Sequence, residues 1–591
     1  MRSIESTNRT ELIEAARGDR VLDLAITNVN LVNVFTCEIY PADIGIYGDR
    51  IAVVGEAGRY KLDARHTLDG AGKWACPGFV DTHLHIESTM VTPANYAAAV
   101  LPFGATTSIV DPHEIGNVLG MEGIRFMVEG SEGLPLRIYV AVSSCVPAVP
   151  GKETAGADFG PAEVAEMLTW PRVISVAEVM DYMGVVNASP KMVGIVEAGL
   201  EAGAIIQGHA PLLRGRELNA YLAAGIDNDH ELRRGDEGLE KLRLGVLPLL
   251  KVSSFGNYAR AIVPELLKAP HLEIALCTDD IEPADLLENG HMDRVIREML
   301  YHGIEPALAI RWATLVGARH YQLHGHGAIA PGYLADVVLL DSLEEVRASE
   351  VFVGGQMVVE KGKLIAPIEE PPTSMPIENT VHIQQPLTED ALTPQAPIAN
   401  GEIGVNLMVL DPTRLTRLAQ VTAQVHDHKV DLASLGEDIC YLAVVPRHGQ
   451  PHAPAVVFLQ GLHLQRGALA TTIAHDSHNL LVAGRSVQDM LVAIRALAAC
   501  GGGIAVADEG KVLGKVALPL AGLMSLKPVA ELAVEMQQIN RLVAQLGIDH
   551  RARALSTTGL ALTVIPEVRI SDLGGLLDVA TQEFIPLFYE R

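Results

Sequence analysis

The chain has 591 residues, 49% of them hydrophobic and only 4% aromatic, with 54 glycines, six cysteines and a formal net charge of -27. That length exceeds what one hydrophobic core organises and predicts about two to four domains. The acidic surplus repels phosphate backbones and anionic membrane surfaces, so neither nucleic acid nor membrane is expected as a partner. Cys37, Cys76, Cys145, Cys277, Cys440 and Cys500 lie far apart without a C-x-x-C pair, which argues against a zinc ribbon and a disulfide scaffold.

Taken in order, the polar opening MRSIESTNRTELIEAARGDR reads as a short helical lead without an apolar signal core. With no apolar run of membrane-spanning length either, a cytoplasmic protein is expected. Residues 23–56 alternate apolar and polar positions and break at Pro41 and at Gly48-Asp49, as a small antiparallel β unit does. Residues 1–74 are thus the lead and the first half of a β domain. From 75 to 326 short β-branched runs alternate with Ala- and Leu-rich stretches: CPGFVDTHLH, ATTSIVDPHE, RIYVAVSSCV, RVISVAEVM, AIIQGHAP, GIDNDHE, VLPLLKVSS and EIALCTDD. Such an alternation predicts an α/β fold, a (β/α)8 TIM-like barrel inserted in a small β-sandwich domain. Residues 327–368 return to strand texture and are expected to complete that β domain by pairing with residues 23–74. A Pro-rich connector follows over 369–400, and 401–591 reads as a separate C-terminal α/β or α+β domain. Gly501-Gly502-Gly503 lacks the Lys-Ser/Thr of a phosphate loop and is expected to be a strand-to-strand turn.

The chemistry is concentrated at the strand ends. In HLH, His83 and His85 are two apart on a strand and so face the same way, able to present two imidazoles to one ion. A lone His-x-His is weak support, so the reading depends on ligands further along. They are present: the fourth strand ends in Glu178, the fifth in His209, the sixth in His230 and the eighth in Asp279. Four imidazoles and two carboxylates exceed what one tetrahedral ion takes and suit two ions. Manganese, iron and zinc all fit such a shell.

The set PGFVDTHLHIEST, IVDPHEIGNV, SVAEVM, GHAP, DNDHE and CTDD, followed by GAIAPGYLADVVLLD, resembles the amidohydrolase superfamily and, within it, the bacterial adenine deaminases. The likeness extends to QRGALATTIAHDSHNLLVAG near the C-terminus and covers nearly the whole chain. It implies a binuclear metal hydrolase that converts adenine to hypoxanthine and ammonia, a metal-activated bridging hydroxide attacking C6. It also favours manganese or iron over zinc, implies a small-molecule substrate, and makes a homodimer plausible. Superfamily members that hydrolyse cyclic amides usually carry a carbamylated lysine where this chain has Glu178.

The expected assignment has His83, His85, Glu178, His209, His230 and Asp279 holding the metals, with Glu178 as the bridge. Asp279 or Glu178 accepts the proton of the nucleophile, and Glu114 of the DPHE motif carries a proton to the ring. Asp111 and His113 of that motif, with His475 and His478 of AHDSHN, are candidates for contacting the substrate. The AHDSHN loop is expected to reach the barrel mouth or to support a metal ligand. His320, His324 and His326 are expected to be solvated. Competing readings are a cyclic-amide hydrolase of the dihydropyrimidinase or hydantoinase kind, a guanine or cytosine deaminase, and a catalytically silent barrel.

Overall fold

The computed structural model describes residues 7–590 except 270–271, 375–376, 412–414 and 549–553. The first six residues of the N-terminal lead and residues 375–376 of the Pro-rich connector therefore lie outside the described residues. The chain divides into two compact units. One comprises residues up to 111, 127–144 and 160–373; the other comprises 112–126, 145–159 and 374 onward.

In the first unit a helix, Arg9–Arg17, precedes β1 (Leu22–Asn33), β2 (Glu38–Tyr47) and β3 (Arg50–Glu56), an antiparallel meander whose turn after β2 uses Gly48 at positive φ. β4 (Ala64–Asp69) and β5 (Trp74–Pro77) both run parallel to β1. Eight consecutive parallel strands follow: β6 (Phe79–Leu84), β7 (Ala105–Val110), β8 (Arg137–Val142), β9 (Val173–Val179), β10 (Ile205–Gly208), β11 (Asn228–Asp229), β12 (Leu247–Lys251) and β13 (Ala275–Cys277). They pair in unbroken sequence order, and the ring closes where Asp279 N–H donates to the His83 carbonyl at 3.0 Å and Leu84 bridges to Asp279. Because all eight run the same way, their C-terminal ends gather at one rim.

The chain leaves the barrel by β14 (Val337–Ser342), then β15 (Arg347–Val353), β16 (Gln356–Glu360) and β17 (Lys363–Leu364). β14 pairs antiparallel with β5, Val338 opposite Cys76, so strands from before and after the barrel share one nine-stranded sheet. Its core joins Ile26, Leu31, Ile44 and Ile51 from the first half to Val337, Leu339 and Phe352 from the second. Arg137 at the start of β8 ties barrel to sheet, its Nε and Nη2 each 2.9 Å from an Asp336 oxygen, a bidentate pair largely out of water.

Two of the three histidines expected to be solvated are not. His326 is buried against the Tyr139 hydroxyl at 3.0 Å, and burial lowers its pKa to about 4. His320 pairs with Asn228 at 2.8 Å, and burial lowers it to about 4 as well. Only His324 is exposed. The segment folds back under the barrel, where Tyr321 and Leu323 pack on Val80 and Ile109 and the Tyr321 hydroxyl donates to the Thr82 carbonyl.

The second unit is built on a largely antiparallel sheet of β18 (Asn400–Leu410), β19 (Thr416–His426), β20 (Lys429–Val430), β21 (Ile439–Val445), β22 (Ala455–Gln460), β23 (Ala468–Thr471), β24 (Leu480–Gly484), β25 (Gly503–Asp508) and β26 (Lys511–Ala517). The helix Val487–Ala498, capped by Ser486, lays Met490, Ile494 and Leu497 on Ala443, Ala470, Val482 and Ala505. The three glycines at 501–503 connect that helix to β25, and are not a strand-to-strand turn; all three have positive φ, which ends the helix and reverses the chain.

Replacing Arg137 with Met strands Asp336 without its cation, and a loss of about 3 kcal/mol is expected. Urea unfolding should show the midpoint fall; an unchanged midpoint would mean that the pair does not hold sheet to barrel.

Candidate metal centre

His83 sits within β6, His85 just beyond it, Glu178 near the end of β9, and His209, His230 and Asp279 immediately past β10, β11 and β13. All six are buried. The barrel thus brings together all six side chains that the strand ends suggest as candidate ligands, and nearby partners set which nitrogen of the His83 and His85 rings faces inward.

His83 Nδ1 lies 2.9 Å from Oε1 of Gln207, an oxygen that can only accept, so Nδ1 carries the hydrogen and Nε2 keeps its lone pair. The Gln207 amide is itself oriented by donating to Ser175 Oγ at 3.0 Å. His85 Nδ1 likewise donates to the Asp111 carbonyl at 2.9 Å. Two Nε2 lone pairs therefore point into the barrel mouth. That of His83 is buried without a hydrogen bond, 4.0 Å from Asp279 Oδ1. That of His85 is 3.2 Å from the same oxygen and 3.5 Å from Glu178 Oε1.

On the other side of the same carboxylate, Glu178 Oε2 faces His209 Nδ1 at 2.5 Å and His230 Nε2 at 3.0 Å. One carboxylate thus divides two donor sets. His85, with Asp279 beyond it, lies on the Oε1 side and His209 and His230 on the Oε2 side, while His83 groups with both Asp279 and His230. The His83 and His230 rings stack at 4.0 Å. Tyr221 fixes the seam, accepting from His209 N and donating to the Val179 carbonyl.

The electrostatics of Glu178, Asp279 and His83 favour their metal-binding forms, whereas His209, which burial alone would lower, is raised by its contact with Glu178. Burial would raise Glu178, yet His209 and His230 hold it well below the usual carboxylate range. Burial would raise Asp279 too, and Lys251 foremost holds it down, Nζ bonding both Asp279 Oδ2 and Glu231 Oε1. His83 is pushed far down by burial and by His230, which keeps it neutral. Two ionised carboxylates and a buried neutral imidazole with an unused lone pair fit a divalent ion.

Of the other site candidates, Asp111 serves His85 through its carbonyl and accepts from Ser143 Oγ at 3.2 Å. His113, Glu114, His475 and His478 form a second cluster, within the C-terminal unit. His113 Nε2 is 3.5 Å from Asp476 Oδ1, His475 Nδ1 is 3.8 Å from both Asp476 Oδ1 and Glu114 Oε1, and His478 Nε2 is 3.6 Å from Glu114 Oε2. The 474–479 loop is held by residues that the sequence did not single out: Arg447 Nε donates to the His478 carbonyl, and His448 Nε2 to that of Ser477 at 2.7 Å. Gln207 and Lys251 are missed as well, although Lys251 ends the seventh barrel strand, where a polar group was to be looked for.

The amidohydrolase family model matches residues 74–364, and that of the adenine deaminase C-terminal domain matches 413–583. A curated adenine deaminase from Klebsiella pneumoniae (strain 342) is 41% identical over 584 residues, covering 98% of this chain and 95% of that protein. The chain belongs to the adenine deaminase family. Two further relatives of that name, from Serratia proteamaculans (strain 568) and Moorella thermoacetica, are 38% and 37% identical, each covering 98% of this chain and 97% of its own length. Membership of the family and the donor set around Glu178 together imply the use of divalent metal.

Removing the acceptor for His83 by Gln207→Leu frees the ring to take the wrong tautomer, and metal affinity should fall about 10- to 100-fold. Competition with a chelator reads this directly, and unchanged affinity would refute the role of Gln207. A second expectation concerns Glu153, whose pKa burial, Asp476 and Asp572 raise to about 8 while Val149 N and Thr563 Oγ1 bond its Oε1. The unfolded chain releases this proton near pH 4.5 and the folded chain near 8, so the folded state holds it in between. Stability from this group is therefore greatest at low pH and declines as pH rises through that window. Glu153→Gln should abolish the decline, and a variant that loses as much stability as the parent between pH 5 and 8.5 would contradict it.

Proposed function

We infer that the chain hydrolyses adenine to hypoxanthine and ammonia. What supports this is the Glu178 carboxylate, set between two imidazole-bearing donor groups in a chain that matches adenine deaminases over 98% of its length. His83, His85 and Asp279 would hold one ion, His209 and His230 the other, and Glu178 would join them. Held there, a divalent pair supplies a nucleophile at neutral pH by lowering the pKa of water.

The protein's own groups do the rest. Gln207 and the Asp111 carbonyl keep both β6 imidazoles in the ligating tautomer. Lys251 occupies Oδ2 of Asp279, which leaves Oδ1 turned toward the His85 and His83 imidazoles. Attack at C6 interrupts the aromaticity of the purine, so the ring nitrogen and the departing amine must be protonated. Glu114 is the carboxyl to which we assign that transfer. It is buried, and imidazoles face both of its oxygens.

Four imidazoles with two carboxylates suit manganese, iron or zinc alike, and the resemblance to adenine deaminases favours manganese or iron. These identities, a homodimeric assembly and a cytoplasmic location complete the proposal. Metal analysis and light scattering of purified protein test the first two.

The activity itself is tested by incubating metal-loaded protein with adenine and with dihydrouracil. Hypoxanthine and ammonia should form from adenine alone; turnover of the cyclic amide instead would overturn the assignment. Glu114→Gln should lower turnover by about a hundredfold or more with metal content unchanged. Full turnover in that variant would remove Glu114 from the mechanism.

A further inference from the structure

We propose that His478 is a positioning residue for Glu114, holding an Nε2–H donor toward Glu114 Oε2 so that the carboxyl keeps one orientation through the proton transfer. The inference rests on the assignment of Glu114 above. It deepens that assignment by giving the AHDSHN loop a chemical task.

The tautomer carries the argument. The backbone N–H of Ala474 donates to His478 Nδ1 at 3.2 Å, so Nδ1 must keep its lone pair. A neutral ring then has its hydrogen on Nε2. The ring is neutral, because full burial and the neighbouring His475 and Arg447 push its pKa well below the ordinary histidine value. Nε2 makes no hydrogen bond of its own and faces Glu114 Oε2 at 3.6 Å. That is just beyond hydrogen-bond length, and a shift of a few tenths of an ångström closes it, as catalytic contacts commonly do once substrate is bound.

The same tautomer excludes the competing reading of this cluster. Glu114, His475 and His478 offer three ligand atoms close together and could pass for a further ion site. An imidazole whose Nε2 carries hydrogen has no lone pair there for a cation. His478 is therefore a donor to the carboxylate.

The loop is built to hold that ring still. His478 has a positive φ of 51°, its N–H donates to the Ala474 carbonyl at 2.8 Å, and its own carbonyl accepts from Arg447 Nε. Arg447 N–H binds Asn479 Oδ1 at 3.0 Å, and Arg447 Nη2 binds the Ala521 carbonyl at 3.0 Å. Arg447 is fully buried, burial lowers its pKa to about 9, and it ties this loop to its surroundings: Nε and the backbone N–H go to the loop, Nη1 to Thr380 and Nη2 to the Ala521 carbonyl.

The test compares His478→Gln, whose amide can still donate from about the same reach, with His478→Leu, which cannot donate. Each is made in the parent and in Glu114→Gln and assayed with adenine at steady state over a range of substrate concentrations. His478→Leu should lower kcat at least tenfold with KM and metal content unchanged, and His478→Gln should restore most of it. In the Glu114→Gln background His478→Leu should cost less than twofold more. The inference is overturned if Leu and Gln are equally impaired, or if the Leu penalty persists in full without the Glu114 carboxylate. Full activity of Glu114→Gln alone would instead overturn the assignment of Glu114.

Discussion

Burying a carboxylate among three imidazoles is the constraint on which the barrel's chemistry depends. Glu178 is almost fully removed from water, where an ionised carboxylate is costly unless positive charge or hydrogen-bond donors meet it. Its two oxygens face different histidines, Oε1 toward His85 and Oε2 toward His209 and His230. The strands are spaced by backbone hydrogen bonding, so five other side chains can converge around one carboxylate only from a closed ring of strand ends. Closure at Asp279 and His83 is thus as much part of the site as the ligands are.

Around that centre the supporting groups act mainly on direction. Gln207 and the Asp111 carbonyl each accept from an Nδ1 and leave an Nε2 lone pair inward. Lys251 occupies one oxygen of Asp279, leaving the other to the imidazoles. In the C-terminal unit the same device appears with the opposite sense: Ala474 N–H occupies Nδ1 of His478 and leaves Nε2 as a donor. Imidazole is well suited to both tasks, since the partner of one nitrogen decides what the other can do.

Much of this was legible in the sequence because strand ends are punctuated. Period-two spacing put His83 and His85 on one face, and each remaining ligand closes an apolar run, so Glu178, His209, His230 and Asp279 stood out as polar residues where a barrel strand stops. Tautomer-setting partners carry no such mark. Gln207 is one residue inside its strand's end, and an Asp111 carbonyl is invisible to any reading of side chains. Arg447 and His448 act on a loop about thirty residues further along, through contacts that only the folded sheet creates. His320 and His326 were misread because a polar turn reads as solvated, whereas here it folds under the barrel and buries both rings. The triple glycine was misplaced for a related reason: positive φ marks a chain reversal without saying which elements it joins.

The central claim is that Glu178 bridges two ions. Anomalous diffraction from crystals of the manganese-loaded protein tests it most directly. The account predicts two peaks, one beside His83, His85 and Asp279 and one beside His209 and His230, with the Glu178 carboxylate between them. A single peak, or two peaks neither of which touches Glu178, would contradict it.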